Sequence, residues 1–241
     1  MKTDYFSSYT RTLDSLIAQH GEARAMELIV GGQYETIGIL EASLLRTLGL
    51  QPGHTVVDIG CGTGRLAWAL REYLRGKYIG FDIVPQLLPH AVARVGRPDW
   101  DFLPISSPLT PLAADSSDMT CFFSVFTHIH DEDIHRYLAE AKRITRPGGL
   151  IVFSYLDFAV DWHWPVFEAT LRDANPDRIL NKFLSKDAIR AFARNLRLRV
   201  AALHDGPDTW ITLTEPIRYE DGRTAEGTTY FGQSVCILEK T

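Results

Sequence analysis

The residues best suited to chemistry sit in one short stretch and a few outliers. Thr55 to Arg65 reads Thr-Val-Val-Asp-Ile-Gly-Cys-Gly-Thr-Gly-Arg, an apolar run that meets an acid and then alternating glycines. Gly60, Gly62 and Gly64 lack a Cβ, so the chain can turn tightly there and leave room beside its backbone. A helix starting just beyond would offer free N–H groups and the positive end of its dipole. That suits a carboxylate or a phosphate equally, so the loop alone names no ligand. A dinucleotide loop requires Gly-x-Gly-x-x-Gly. Gly60 and Gly62 fit, but Arg65 stands in place of the third glycine. Asp82 closes a second apolar run, where an acid can accept hydrogen bonds from both hydroxyls of a ribose. The same acid can cap the turn before Pro85.

Two histidines are candidate bases. Ser124-Val125-Phe126-Thr127-His128-Ile129-His130-Asp131 follows a continuous apolar run, and His128 lies just past its end. An unperturbed imidazole is half-charged near neutral pH, which suits a base. The other reading is that His128 braces the loop and His130 helps start the next helix. His163 belongs to a second cluster, Tyr155, Asp157, Asp161, Trp162, His163 and Trp164. Aromatic rings there could stack on a sugar or a flat ring, or could pack the next helix onto a sheet. Asp131-Glu132-Asp133 reads as a negatively charged helix start. Its spacing is poor for a metal site, and no metal is expected.

Alternating strands and helices position these groups. Residues 1–50 carry helical periodicity, with Leu13, Leu16, Ile17 and His20 on one spacing. Gly31-Gly32 breaks it, and a second helix runs from Tyr34 to Thr47. Strands are expected at Val56–Ile59, Tyr78–Phe81, Asp101–Ile105, Met119–Val125 and Leu150–Leu156. Helices between them are expected at 63–74, 85–95 and 131–145, and Arg146-Pro147-Gly148-Gly149 reads as a turn. Such units imply parallel strands joined by right-handed crossovers. A helical region follows from Trp162 to Leu196, broken at Asn175-Pro176. Strands then recur at 197–203, 210–213 and 234–238 without long helices between them, and 222–232 reads as loop.

Composition narrows the function. The chain has 241 residues and a net charge of −5 with no long basic run, which does not suggest general nucleic-acid affinity. Cys61, Cys121 and Cys236 are too few and too scattered for a disulfide framework and fit a reducing cytosol. Met1 to Phe6 lacks the apolar core of a signal peptide, and no apolar run reaches the roughly 18 residues of a spanning helix. A cytoplasmic protein without membrane contact is expected.

The pattern Asp-x-Gly-x-Gly-x-Gly over Asp58–Gly64, with Asp82 and the Arg-Pro-Gly-Gly turn, resembles the class I S-adenosylmethionine-dependent methyltransferases. The resemblance covers residues 55–155. It implies an α/β, Rossmann-like, doubly wound seven-stranded sheet, mostly parallel with an antiparallel C-terminal edge strand, preceded by a helical extension. One domain is expected over 1–241: a lid or flank at 1–50, a cofactor-binding core at 51–156, acceptor-side helices and insertion at 157–232, and a last strand at 233–241. S-adenosylmethionine is the implied cofactor. The backbone around Gly60, Cys61 and Gly62 would face its methionine part, Gly64 would complete the cofactor-binding loop, and Asp58 would anchor the loop or meet the amino group. Asp82 would bind ribose, and Ile83 would pack on adenine. Ser106-Ser107 stand where relatives carry an Asp-Ala pair touching adenine. Ser124 falls at the end of the fourth strand, and Tyr34 belongs to an N-terminal segment that closes over the cofactor.

Methyl transfer from a sulfonium is an in-line displacement, so the protein mainly aligns the acceptor and excludes water. A hydroxyl acceptor also needs a base. Ser124-Val125-Phe126-Thr127 stands where amino-group methyltransferases carry an Asn-Pro-Pro-Tyr-like tetrapeptide. The expected activity is O-methylation of a small molecule, a sugar or secondary metabolite. The alternatives are a non-catalytic cofactor-binding module and a nucleic-acid methyltransferase.

Overall fold

A computed structural model describes residues 5–175 and 178–241. The expected break at Pro176 lies outside the described residues.

The N-terminal layer has three helices, α1 (Tyr5–His20), α2 (Glu22–Leu28) and α3 (Tyr34–Thr47). Gly21, with φ 76°, separates the first two. A break there was not expected, because apolar residues recur at helical spacing across it. Leu13, Ala25 and Met26 form a small core with Val84 and Leu87, which lays the α1–α2 pair over the end of the second strand. The Gly31-Gly32 break and the bounds of α3 agree with the sequence reading.

Five strands and their crossovers follow: β1 (Val56–Ile59), α4 (Arg65–Leu70), β2 (Tyr78–Asp82), α5 (Leu88–Val95), β3 (Asp101–Pro104), β4 (Ser117–Phe122), α6 (Asp131–Ile144) and β5 (Thr145–Tyr155). After α7 (Trp164–Arg172) and α8 (Lys186–Leu196) come β6 (Arg199–His204), the short strands β7 (Ile211–Thr212), β8 (Ile217–Arg218), β9 (Thr224–Ala225) and β10 (Thr228–Thr229), and finally β11 (Ser234–Glu239). The main sheet has the order β3-β2-β1-β4-β5-β11-β6. The pairs among β1 to β5 are parallel, and β11 runs antiparallel to both β5 and β6. The antiparallel strand therefore lies at the C-terminal side of the sheet, with β6 outside it. Buried clusters on both faces, one against α3 and α4 and one against α6 and α8, explain why the central strands read as continuous apolar runs.

Three local expectations change. Residues 146–149 form no separate turn before β5. Ser117 pairs with Thr145 and Met119 with Leu150, so these residues bulge from within the strand, where Gly148 N–H donates to the Lys240 carbonyl. β4 ends at Phe122, which frees Phe123 to Val125 for the site below. The stretch 211–229 is two small antiparallel ribbons leaning on α3, where Thr36 donates to the Arg218 carbonyl.

Candidate functional site

A cavity of about 770 Å³ opens at the carboxyl ends of β1, β2 and β4, the place where open α/β sheets bind ligands. Its floor is the glycine loop and Asp82. Its roof is α1, residues 28–31 and Asp173, Asn175, Arg178, Ile179 and Asn181, and its far wall is 123–129 with Trp162 and His163.

The loop is held by its own N–H groups. Gly60 and Cys61 both donate to the Phe81 carbonyl, at 2.7 and 3.0 Å. Gly62 donates to Asp82 Oδ2 at 2.8 Å, and Gly64 donates to the Cys61 carbonyl at 2.9 Å. Side chains at the start of α4 tie it to the N-terminal layer. Arg65 reaches from it to Glu41 and the Val30 carbonyl, and Thr63 Oγ1 donates to the Met26 carbonyl. With the N–H groups of Gly60, Cys61, Gly62 and Gly64 bonded within the fold, those four residues offer a ligand carbonyl oxygen and open space. The space needs glycine. Gly60 has φ 85°, and a Cβ there would lie 2.3 Å from Val125 Cγ2; at Gly62, φ 54°, a Cβ would lie 2.6 Å from Val30 Cγ1.

Asp82 is buried in the cavity floor. Its Oδ1 accepts from Val84 N–H and its Oδ2 from Gly62 N–H, both at 2.8 Å, which fixes the carboxylate plane. Burial raises its pKa to about 6, and those N–H donors oppose the rise. Asp58 accepts from the Tyr78 hydroxyl at 2.5 Å, and burial raises its pKa to about 7. Asp58 thus anchors β1 to β2 while bordering the cavity. Burial also pushes the Cys61 thiol well up, so Cys61 is no thiolate.

The other sequence candidates separate. Ile83 and Ser124 line the cavity. Ser124 has φ 58°, a conformation uncommon for a residue with a Cβ. It is held there by its N–H on Ser154 Oγ and by Gln233 Nε2, which donates to its hydroxyl. Ser106 and Ser107 are exposed beyond β3, outside the cavity, and the neighbour that reaches in is Ile105. Tyr34 and Gly64 lie behind the loop. The Tyr34 hydroxyl donates to the Thr63 carbonyl at 2.8 Å, and Gly64 caps α4.

The two histidines differ. His128 places Nδ1 2.7 Å from the Leu180 carbonyl, and burial lowers its pKa. His163 is 2% exposed and has both ring nitrogens engaged. Nδ1 accepts from Asp157 N–H at 2.9 Å, and Nε2 faces the Gly232 carbonyl at 3.2 Å. A base needs a lone pair facing its substrate, and His163 has none to spare. It joins the turn after β5 to the approach of β11, which corrects its place among the candidate bases.

The sequence reading missed the tyrosines. Tyr5 and Tyr9, one helical turn apart on α1, both line the cavity, as does Tyr137 of α6. Tyr9 sets its ring edge-on to His128, centroids 5.8 Å apart, and burial and the Asp82 charge push its phenol above the usual range. The Tyr5 hydroxyl donates to Asp133 at 3.0 Å and accepts from His130 N–H at 2.9 Å, latching α1 to the start of α6. The i, i+4 spacing of aromatics was the available signal. Leu180, whose carbonyl orients His128, carried none.

Residues 56–149 match the family described as methyltransferase domain. A malonyl-[acyl-carrier protein] O-methyltransferase of Serratia marcescens is 35% identical over 130 residues, 52% of this chain and 49% of that protein. An uncharacterized methyltransferase of Mycobacterium tuberculosis is 36% identical over 105 residues, 43% of this chain and 39% of its own length. The chain spans about half the length, or less, of these relatives. Among solved structures, a chain from the complex between the Haloferax volcanii Trm112 methyltransferase activator and a methyltransferase aligns with TM-score 0.64 and 23% identity, covering 95% of this chain and 97% of that one. Magnesium protoporphyrin IX methyltransferase from Synechocystis PCC 6803, solved with S-adenosylhomocysteine, aligns with TM-score 0.63 and 15% identity over 99% and 97%. The fold is that of the class I S-adenosylmethionine-dependent methyltransferases. Residues 56–149 are the part of it that matches the methyltransferase-domain family.

Proposed function

We propose that this chain binds S-adenosylmethionine in the cavity and methylates an oxygen atom of a small molecule, a sugar or other secondary metabolite. The observation that carries this is the loop whose N–H groups at Gly60, Cys61, Gly62 and Gly64 are consumed by the fold. Carbonyl oxygens and bare glycine backbone favour the cationic amino and sulfonium groups of this cofactor over a pyrophosphate. Asp82, its plane fixed from behind, is the ribose acceptor, and Ile83, Leu87 and Ile105 give apolar contact for a purine. Gly60, Cys61 and Gly62 flank the methionine part, with Asp58 beneath them and Ser124 at its edge.

When bound, the cofactor supplies a methyl group on a strong leaving group. The protein's part is to align the acceptor and shut out water. The roof of α1, latched through Tyr5, and the wall of Trp162, Val166 and Ile179 suit both tasks. Relatives named as O-methyltransferases support oxygen as the acceptor atom. The test is transfer of labelled methyl from S-adenosylmethionine to an extract of small metabolites. Labelled low-mass product is expected. Tight cofactor binding with no labelled product would contradict the catalytic reading and leave a binding module.

A further inference from the structure

His128 is an ionisable group of the cavity with a functional atom that the fold leaves open. A carbonyl oxygen can only accept, so the 2.7 Å contact with Leu180 puts the His128 proton on Nδ1 and leaves Nε2 as a bare lone pair. The carboxylates and the second histidine of the cavity are engaged. Asp58 is bonded by Tyr78, Glu41 by Arg65, and His163 by backbone on both nitrogens. Asp82 is fixed by Gly62 and Val84, and Asp173 lies at the exposed rim with Oδ1 on Asn175 N–H.

We propose that His128 Nε2 is the base that takes the proton from a phenolic or enolic hydroxyl, so that this site's acceptor is an acidic hydroxyl compound with a flat ring. The proposal rests on the methyl-transfer reading above and narrows it to secondary metabolites of this kind. A carboxylate acceptor carries no proton to remove, and its charge would face a lone pair. An aliphatic alcohol holds its proton about as tightly as water, near 16, far from an imidazole of about 6.5 or below. A phenol, at about 10, is the closer match. The walls agree, since Tyr9, Trp162, Val166 and Ile179 present rings and branched carbons to the cavity.

The surroundings keep the imidazole neutral. Burial lowers its pKa. Lys182 is paired with Asp131 at 2.8 Å, and Arg178 is turned to the carbonyls of Asp173 and Asn175. Tyr5 and Tyr9 on α1 both have raised pKa values, and the His130 ring rests against Tyr5. In the reaction the acceptor O–H proton passes to Nε2 and the oxygen lone pair forms the O–CH3 bond. The S–CH3 bond breaks with its electrons left on sulfur as a neutral thioether, and the imidazolium then releases its proton to water.

The test compares wild type with His128→Asn, whose amide can still donate to the Leu180 carbonyl but has no Nε2. Phenol, benzyl alcohol and benzoate serve as acceptor probes with labelled S-adenosylmethionine. Phenol is expected to be the methylated probe. His128→Asn should lose about a hundred- to ten-thousand-fold in turnover, with cofactor affinity by calorimetry within about twofold. Wild-type turnover should rise with pH through the imidazole titration, and the variant should lack that limb. Nitrogen NMR of wild type with S-adenosylhomocysteine should show Nε2 unprotonated and shifted by phenol. Unchanged turnover in His128→Asn, preference for benzoate or benzyl alcohol, or an Nε2 that phenol does not shift would each overturn the inference while cofactor binding stands. Failure of wild type to bind the cofactor would overturn the methyl-transfer reading and this inference with it.

Discussion

The floor and the roof of the cavity are built on different principles. The floor is backbone and carboxylate. Gly60, Cys61, Gly62 and Asp82 are fixed by bonds to residues one strand away, and little freedom remains once β1 and β2 pair. The roof and the far wall are side chains from distant segments. His128 is set by Leu180, Tyr5 by Asp133, and His163 joins Asp157 to Gly232. A floor of this kind can serve one cofactor across many chains, whereas a roof of this kind can change its acceptor without touching the floor.

The largest expected effect comes from breaking the floor. Gly60→Val puts a Cβ where Val125 stands, at a positive φ. We expect a loss of about 2 kcal/mol or more of stability and cofactor binding below detection, read by thermal melting and calorimetry. Asp82→Asn should fold and bind more weakly by about tenfold or more, the worth of hydrogen bonds to a charged acceptor.

Proton linkage at Asp82 sharpens the same point. Its folded pKa is raised to about 6, and accepting two ribose hydroxyls requires the ionised form. Cofactor affinity should therefore be full above pH 7 and fall as pH drops through 6, approaching tenfold per pH unit. Calorimetry between pH 5 and 8 checks this, and Asp82→Asn should lack the dependence.

The roof should respond differently. His163→Ala removes a buried brace and leaves the Gly232 carbonyl and Asp157 N–H unpaired. A cost of about 1–3 kcal/mol and a melting point lower by several degrees are expected, with cofactor affinity nearly intact. The smallest effect is expected at Ser106→Ala and Ser107→Ala. Both side chains are exposed, so affinity should stay within about twofold. A larger loss would mean that the adenine end of the site extends past Ile105.

The same contrast explains what the sequence made legible. The strand ends at Ile59 and Asp82 and the bounds of α3 are local properties of apolar runs, glycines and acids, and the pattern carried them. The role of Arg65 was half legible. Its mismatch with a dinucleotide loop was visible, but its clamp on Glu41 and Val30 depends on α3 crossing α4. His128 and His163 look alike as residue types. Only the backbone carbonyls and N–H groups that reach them separate a base from a brace, and those come from segments without regular periodicity. Ser106 and Ser107 were placed by counting along the chain, and β3 ends too early to turn them inward.

The central claim is that the floor is made for a cationic, ribose-bearing cofactor and not for a pyrophosphate. Calorimetric titration of the wild-type protein at pH 7.5 with S-adenosylhomocysteine and, separately, with NADH tests it most directly. Saturable one-to-one binding of S-adenosylhomocysteine and no measurable binding of NADH are expected. Binding of NADH with no response to S-adenosylhomocysteine would contradict it.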